Sequence, residues 1–233
     1  MRYALYFAPC ADAPLSQTAA AWLGRDAFTG TAHPRMAETD FPAEELNALT
    51  ADPRRYGFHA TLKAPFHLAE GVREADLLAE FAAFATKTAS FEVPSVIVDQ
   101  LGHFFALVPD SLHAPLQQFA ADVVETFEPF RAPLSEADIA RRKPDTLPPR
   151  QRENLLRWGY PYVFDEFRFH MTLTGPVPEP KAPAMASILA DRFADFIERP
   201  LRIDGLALFV EPERGAPFLV HSRLPLKGAQ PNG

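Results

Sequence analysis

The sequence predicts an α+β fold that is bilobal: two similar lobes, each an antiparallel sheet with helices, facing one another across a cleft. Three observations support this. Two octets, FHATLKAP at 58–65 and FHMTLTGP at 169–176, place Phe, His, Thr, Leu and Pro alike, with their histidines 111 residues apart. Each octet is followed by a helix-period segment and then by two aromatic or β-branched runs, so strand, helix and hairpin occur twice in order. The 24 prolines among 233 residues, about twice the usual share of roughly 5%, punctuate the chain and separate its elements.

The elements follow in chain order. Residues 2–9 form a strand, because the apolar run in MRYALYFAPC is too short and too aromatic for a signal segment. Asp12 is placed to cap a helix with Pro14 in its first turn and Gly24 as its stop. Residues 25–55 are polar and broken by Pro34, Pro42 and Pro53, with a short helix over 42–49. The first octet lies on a strand from Tyr56 to Phe66. Leu77, Leu78, Phe81 and Phe84 repeat at helical spacing over 73–88, and 90–98 with 103–109 form a hairpin. A helix over 112–127 turns Leu116, Phe119, Val123, Val124 and Phe127 inward. In the second half, a strand over 165–175 carries the second octet. A helix over 183–198 buries Met185, Ile188, Leu189, Phe193 and Phe196, and 201–211 with 217–224 form the second hairpin.

This order divides the chain into lobe 1 (about 1–130), a basic helical insert (about 131–164), lobe 2 (about 165–226) and a disordered tail, 227–233. Ser135 with Asp138 opens one helix of the insert; Pro148-Pro149 opens another that Gly159 closes. Over 131–157 seven Lys/Arg stand against four Asp/Glu, in a chain of net charge −7 and pI near 5.5. The overall acidity argues against a broad grip on long nucleic acid. No run approaches the roughly 18 apolar residues of a membrane span. The single Cys10 fits a reducing compartment, and the expected location is cytoplasmic.

The octets carry the chemistry. Alternation along a strand points His59 and Thr61 one way while Phe58, Ala60 and Leu62 point the other, and His170 and Thr172 oppose Phe169, Met171 and Leu173 in the same manner. One His-x-Thr is readily explained as a hydrogen-bonded core histidine beside a strand-favouring threonine. Two at corresponding places ask for a shared role. Facing lobes would bring together two imidazoles, able to act as base and acid near neutral pH, and two hydroxyl donors. That inventory suits displacement at phosphorus. A metal centre would need three or four ligands, and His33, His67, His103, His113 and His221 are scattered, so neither metal nor other cofactor is expected.

These motifs resemble those of the 2H phosphoesterase superfamily, named for its two His-x-Thr/Ser motifs. The resemblance spans the chain to about residue 226 and implies a bilobal fold, metal-independent hydrolysis of phosphodiesters, and His59, Thr61, His170 and Thr172 as the catalytic set. MRYALYFAP, RRYGFHATLKAP and the run RRKPDTLPPRQRENLLRWGYPYVFDEFRFHMTLTGP resemble one branch, whose members are typically encoded beside carbon-phosphorus lyase and other phosphonate genes. That branch implies a small cyclic phosphate as substrate, with 5-phosphoribosyl 1,2-cyclic phosphate as the candidate. Analogy leans to His170 as the base, but the motifs leave the assignment open.

A doubly phosphorylated substrate needs a second anion site, for which Arg141, Arg142, Lys143, Arg150 and Arg152 are candidates, joined by Arg54 and Arg55. Tyr6, Tyr56, Tyr160 and Tyr162 are candidates to line the cleft, although packing is the role favoured for them. The alternatives are an RNA-end or nucleotide 2′,3′-cyclic phosphodiesterase, with the tyrosines stacking bases, and a binding module that senses a phosphorylated metabolite without turnover.

Overall fold

The computed structural model describes residues 1–33 and 41–229. Its centre is one antiparallel sheet of eight strands: β1 (Arg2–Phe7), β2 (Ala60–Phe66), β3 (Phe91–Leu101), β4 (Phe104–Pro109), β5 (Met171–Thr172), β6 (Arg199–Ile203), β7 (Gly205–Glu211) and β8 (Leu219–Pro225). The strand order is β6-β3-β4-β5-β2-β1-β7-β8. Two four-stranded halves therefore meet where β5 pairs with β2. The helices are α1 (Pro14–Leu23), α2 (Ala43–Leu49), α3 (Ala51–Tyr56), α4 (Glu74–Lys87), α5 (Ala114–Thr126), α6 (Glu136–Arg141), α7 (Pro149–Trp158) and α8 (Ala182–Arg192). None of them is long and apolar enough to cross a membrane.

The α+β antiparallel class is as expected, but the halves are not consecutive stretches of chain. The 91–109 hairpin was expected beside the first octet; it pairs instead through β4 with β5, while β7 and β8 join β1 beside the first octet. The run 201–211 is two strands, not one. Asp204 divides it, so that β6 pairs with β3 at one edge and β7 with β1 in the other half. Each half of the sheet thus draws strands from both ends of the sequence, and a division near residue 130 does not separate them.

Alternation along the strands builds two apolar layers. Tyr3, Leu5 and Phe7 of β1, Ala60 and Leu62 of β2, Met171 of β5 and Leu206 and Leu208 of β7 face the main core with Leu77, Phe81, Phe119, Val123 and Leu189 of the helices. Ala4, Tyr6, Ala207 and Phe209 face the other way and pack with Phe218 and Ala27 in a smaller cluster. A register shift between Leu5 and Tyr6 marks a bulge in β2 at Leu62. It turns the buried Lys63 toward α5, where its ammonium donates to the Val124 carbonyl at 3.1 Å and pairs with Glu128 at 2.7 Å.

Several local expectations give way to identifiable competitors. The residue that caps α1 is Ala13, without a side-chain bond, rather than Asp12, while Gly24 closes the helix at φ 79° as expected. Tyr56 ends α3 instead of starting β2. The turn of the first hairpin is Gly102-His103, because Leu101 still pairs with Phe104. α8 stops at Arg192, short of 198. The second octet's strand shrinks to Met171–Thr172. Beyond it the ladder ends because the Leu173 and Thr174 N–H groups both reach the Phe105 carbonyl, and the Thr174 hydroxyl accepts the Phe105 N–H at 2.9 Å. Of the expected tail, Lys227 is held by backbone bonds to Thr88 and Ser90; residues 230–233 lie outside the described residues, as does Pro34.

Trp22 links α1 to the second octet: its buried indole N–H donates to the Leu173 carbonyl at 2.8 Å. Trp22→Phe deprives that carbonyl of its donor and is expected to lower unfolding free energy by about 1–3 kcal/mol. Urea titration of the two proteins measures the difference, and an unchanged midpoint would show that the bond contributes nothing.

Candidate active site

β2 and β5 pair antiparallel with Ala60 opposite Met171, and both residues are fully buried against the helices. Continuing that register by one residue each way sets His59 opposite Thr172 and Thr61 opposite His170, all four on the face turned away from the main core. The surface agrees: His59 and Thr172 line one stretch of groove, of about 260 Å³, and Thr61 and His170 line the next, of about 490 Å³, with Phe104 in the wall of both. The four side chains meet on neighbouring strands at the middle of the sheet, where its two four-stranded halves join.

Each imidazole is oriented in the same way. His59 Nδ1 lies 2.8 Å from the Gly57 carbonyl, and His170 Nδ1 lies 2.8 Å from the Arg168 carbonyl. A carbonyl can only accept, so both rings carry hydrogen on Nδ1 and leave Nε2 unprotonated, with a lone pair that can accept. The Thr61 hydroxyl donates to His59 Nε2 at 3.2 Å. These bonds explain why neither octet is strand throughout: the carbonyl two residues before each histidine serves the ring instead of the ladder. Gly57 turns the chain at φ 81°, and a Cβ there would stand 2.4 Å from Ala27 Cβ, so only glycine fits.

His59 rests on an aromatic floor. Tyr6 stacks beneath it with centroids 3.9 Å apart, and Phe209 and Tyr56 lie at 5.8 and 6.0 Å. Burial pushes its pKa down to about 4, with the nearby His170 adding to the effect against the Gly57 bond. His170 lies 5.8 Å from Phe104 and is also lowered, by burial. Tyr6 is 1% exposed, so it supports His59 from below and does not line the groove. Tyr160 and Tyr162 form the groove wall beside His170, their rings in edge contact at 5.5 Å, and Tyr56 forms it beside His59.

The basic candidates separate. Arg141 and Arg142 line a further pocket together with Arg55. Lys143 borders a different surface hollow with Asp145. Arg150 is paired with Glu153 and Asp165, Arg152 with Asp145, and Arg54 with Asn47. Sequence reading passed over Arg2 and Arg214, which line the same pocket as Arg141; both are isolated basic residues, and nothing in their neighbours signals convergence. It also missed Phe104, Gln151 and Arg168 in the groove. Arg168 sits two before His170, as Gly57 sits two before His59, so motif alignment could have marked that backbone position. Among the described residues, no three His, Cys, Asp or Glu side chains are grouped to hold a metal ion.

The two His-x-Thr motifs thus meet at the centre of an antiparallel α+β sheet. Residues 61–219 match the family model described as "Protein of unknown function (DUF1045)", and the chain belongs to that family. Two curated relatives are each named "Ribose 1,5-bisphosphate phosphokinase PhnN". One, from Janthinobacterium sp. (strain Marseille), is 40% identical over 97% of this chain; the other, from Laribacter hongkongensis (strain HLHK9), is 37% identical over 94%. The chain spans about half the length of these relatives, 51% and 50%. The crystal structure of TT0787 of Thermus thermophilus aligns over 99% of this chain and 100% of its own, at 14% identity and a TM-score of 0.48.

Because His59 has a pKa of about 4 folded against about 6.5 unfolded, the native state binds fewer protons. Its contribution is full above pH 6.5 and is lost as pH falls toward 4, by up to roughly 3 kcal/mol. Between pH 7 and 4.5 the wild type should therefore lose more unfolding free energy than His59→Asn. Urea titrations over that range test this, and parallel slopes would contradict the effect of burial.

Proposed function

We propose that the protein is a phosphodiester hydrolase of the 2H type that opens a small cyclic phosphate to a monoester by two-histidine acid/base catalysis. The observation that carries this reading is the β2–β5 register, which sets each histidine opposite the other motif's threonine, with Nδ1 of each ring bound to a backbone carbonyl and Nε2 left unprotonated. In the reaction, one Nε2 takes a proton as water attacks phosphorus. The phosphorus–ester oxygen bond breaks, and the other imidazolium protonates the departing oxygen. Thr61 and Thr172 donate to the nonbridging oxygens. The reading requires no metal or cofactor and no macromolecular partner, and a cytoplasmic location is proposed with it on the single Cys10.

His59 suits the base, since burial keeps it neutral at working pH. His170, farther from the aromatic floor, suits the acid once the negative charge of a bound substrate raises its pKa. This reverses the assignment favoured by analogy.

The relatives' printed name supports a sugar phosphate as substrate, although it names a kinase. This chain contains no Gly-Lys dipeptide and so no Walker-type phosphate loop. The half of those proteins that it matches therefore suits a different step on related ribose phosphates. 5-Phosphoribosyl 1,2-cyclic phosphate remains the candidate, with RNA-end and nucleotide 2′,3′-cyclic phosphates as the rival class.

Purified, chelator-treated protein is expected to open the sugar cyclic phosphate, followed by phosphorus NMR. His59→Ala and His170→Ala should each reduce kcat by about 10²–10⁴-fold while retaining native circular dichroism. Turnover of neither cyclic class by the wild type would overturn the reading. A p-nitrophenyl diester, whose leaving group needs no proton, should restore most activity to His170→Ala and little to His59→Ala; the opposite pattern would exchange their roles.

With both imidazoles lowered in the free protein, kcat/KM should be bell-shaped, rising through about pH 4 and peaking below 6.5, whichever histidine is the base. An optimum at pH 8 or above would be incompatible with the lowered pair.

A further inference from the structure

A pocket of about 470 Å³ opens beside the groove, and five arginines from four parts of the chain line it: Arg2 of β1, Arg55 of α3, Arg141 and Arg142 around the end of α6, and Arg214 of the β7–β8 loop. Among the described residues of its wall, only Asp138 and Glu211 are carboxylates. Glu211 is fully buried; it pairs with Arg2 at 2.5 Å and Arg55 at 2.9 Å and accepts the Gly215 N–H at 2.9 Å. Asp138 holds Arg214 at 2.8 Å and also pairs with Arg141. Arg142 lies over the Tyr160 ring at 5.0 Å. The two acids fix four guanidinium groups, and the described wall, with five arginines against two carboxylates, retains an excess of three positive charges.

An ordinary charged surface spreads its cations into water. Here, guanidinium groups distant in sequence converge on one concavity, two of them tied to a buried carboxylate. Partial desolvation at the pocket wall, with Arg214, Arg2 and Arg142 close by, lowers the pKa of the half-exposed Arg141, as expected for cations facing one another. An anion bound among them would relieve that repulsion, and arginine forks match phosphate oxygens.

The pocket is continuous with the site. Tyr56 lines both it and the groove stretch that holds His59 and Thr172. Gly159 borders the pocket while the next residue, Tyr160, borders the groove at His170. Arg2 and Tyr6 lie on one face of β1, four residues or roughly 13 Å apart, a span that an arginine side chain and a pentose-sized linker together cover.

We infer that the five-arginine pocket is a phosphomonoester subsite, which seats the dianionic end of a sugar phosphate whose cyclic diester lies between His59 and His170. The inference rests on the proposed hydrolysis and adds its specificity: the preferred substrate carries two phosphates separated by a small sugar.

Two measurements test it. Calorimetry with ribose 5-phosphate, which contains no diester, should show binding to the wild type that weakens at least tenfold in Arg142→Ala and in Arg214→Ala but not in Lys87→Ala on α4. Equal affinity in all four proteins would overturn the subsite whether or not hydrolysis occurs. With 5-phosphoribosyl 1,2-cyclic phosphate and its analogue lacking the 5-phosphate, the wild type should prefer the former at least 100-fold in kcat/KM, and Arg142→Ala should erase at least tenfold of that preference. Activity without preference would leave the hydrolase reading intact and sink the subsite. Binding without turnover would retain the subsite and sink the hydrolase.

Discussion

One backbone pairing, Ala60 with Met171, joins the two halves of the sheet, and the proposed chemistry depends on its register. A slip of β5 by one residue against β2 would turn His170 into the helical core and expose Met171 instead, leaving His59 without its counterpart. The ladder at this place is short, so it cannot hold the register alone. Bonds at the end of β5 supply the remainder: Trp22 to the Leu173 carbonyl, Thr174 to the Phe105 N–H, and the Gly175 N–H to the Leu49 carbonyl. Trp22 and Thr174 are buried, so breaking either bond would leave a polar group without water to replace its partner.

The same face explains the unusual state of the imidazoles. Neither ring has a carboxylate partner in the interactions that orient it; each is bound to a backbone carbonyl, which fixes the tautomer without adding charge. A carboxylate would raise the pKa and bring negative charge close to an anionic substrate. Carbonyl orientation on an aromatic floor leaves the free site uncharged at the histidines. In the proposed reaction the proton that a leaving group needs would then be favoured only when phosphate occupies the groove, which would couple acid strength to binding.

Much of this was legible in the sequence because alternation is a local property. His59, Thr61, His170 and Thr172 share a face as their parity requires, and the inward residues Leu77, Phe81, Phe84, Leu116, Phe119 and Val123 are buried as their helical spacing predicts. The pairing of strands was not legible. Element order suggested that the 91–109 hairpin lies beside the octet that precedes it, but strand neighbours are chosen by packing of distant segments, and the break at Asp204 sends β6 and β7 to opposite halves. The octet boundaries were also misplaced, since hydrophobic pattern does not reveal that Gly57 and Arg168 lend their carbonyls to side chains. Arg2 and Arg214 carried no signal because convergence on a pocket is a property of the tertiary fold.

The arginine pocket and the histidine groove share their foundation. Arg2 and Glu211 are register partners at one end of the β1–β7 ladder, and Tyr6 and Ala207 are partners near the other. Tyr6, with Phe209 of β7, supports His59. The strand pair that carries the floor of the histidine groove thus also carries the buried carboxylate that holds Arg2 and Arg55. A continuous ladder stretches little, so the distance between the two positions is set by the fold and not by a loop. In the inferred subsite discrimination would work by length: a ligand with one anionic end could satisfy one position, whereas two phosphates on a sugar of matching size would satisfy both without moving either. For such a ligand the binding energy at the arginines would serve to place the diester between the histidines, which is how remote contacts contribute to catalysis.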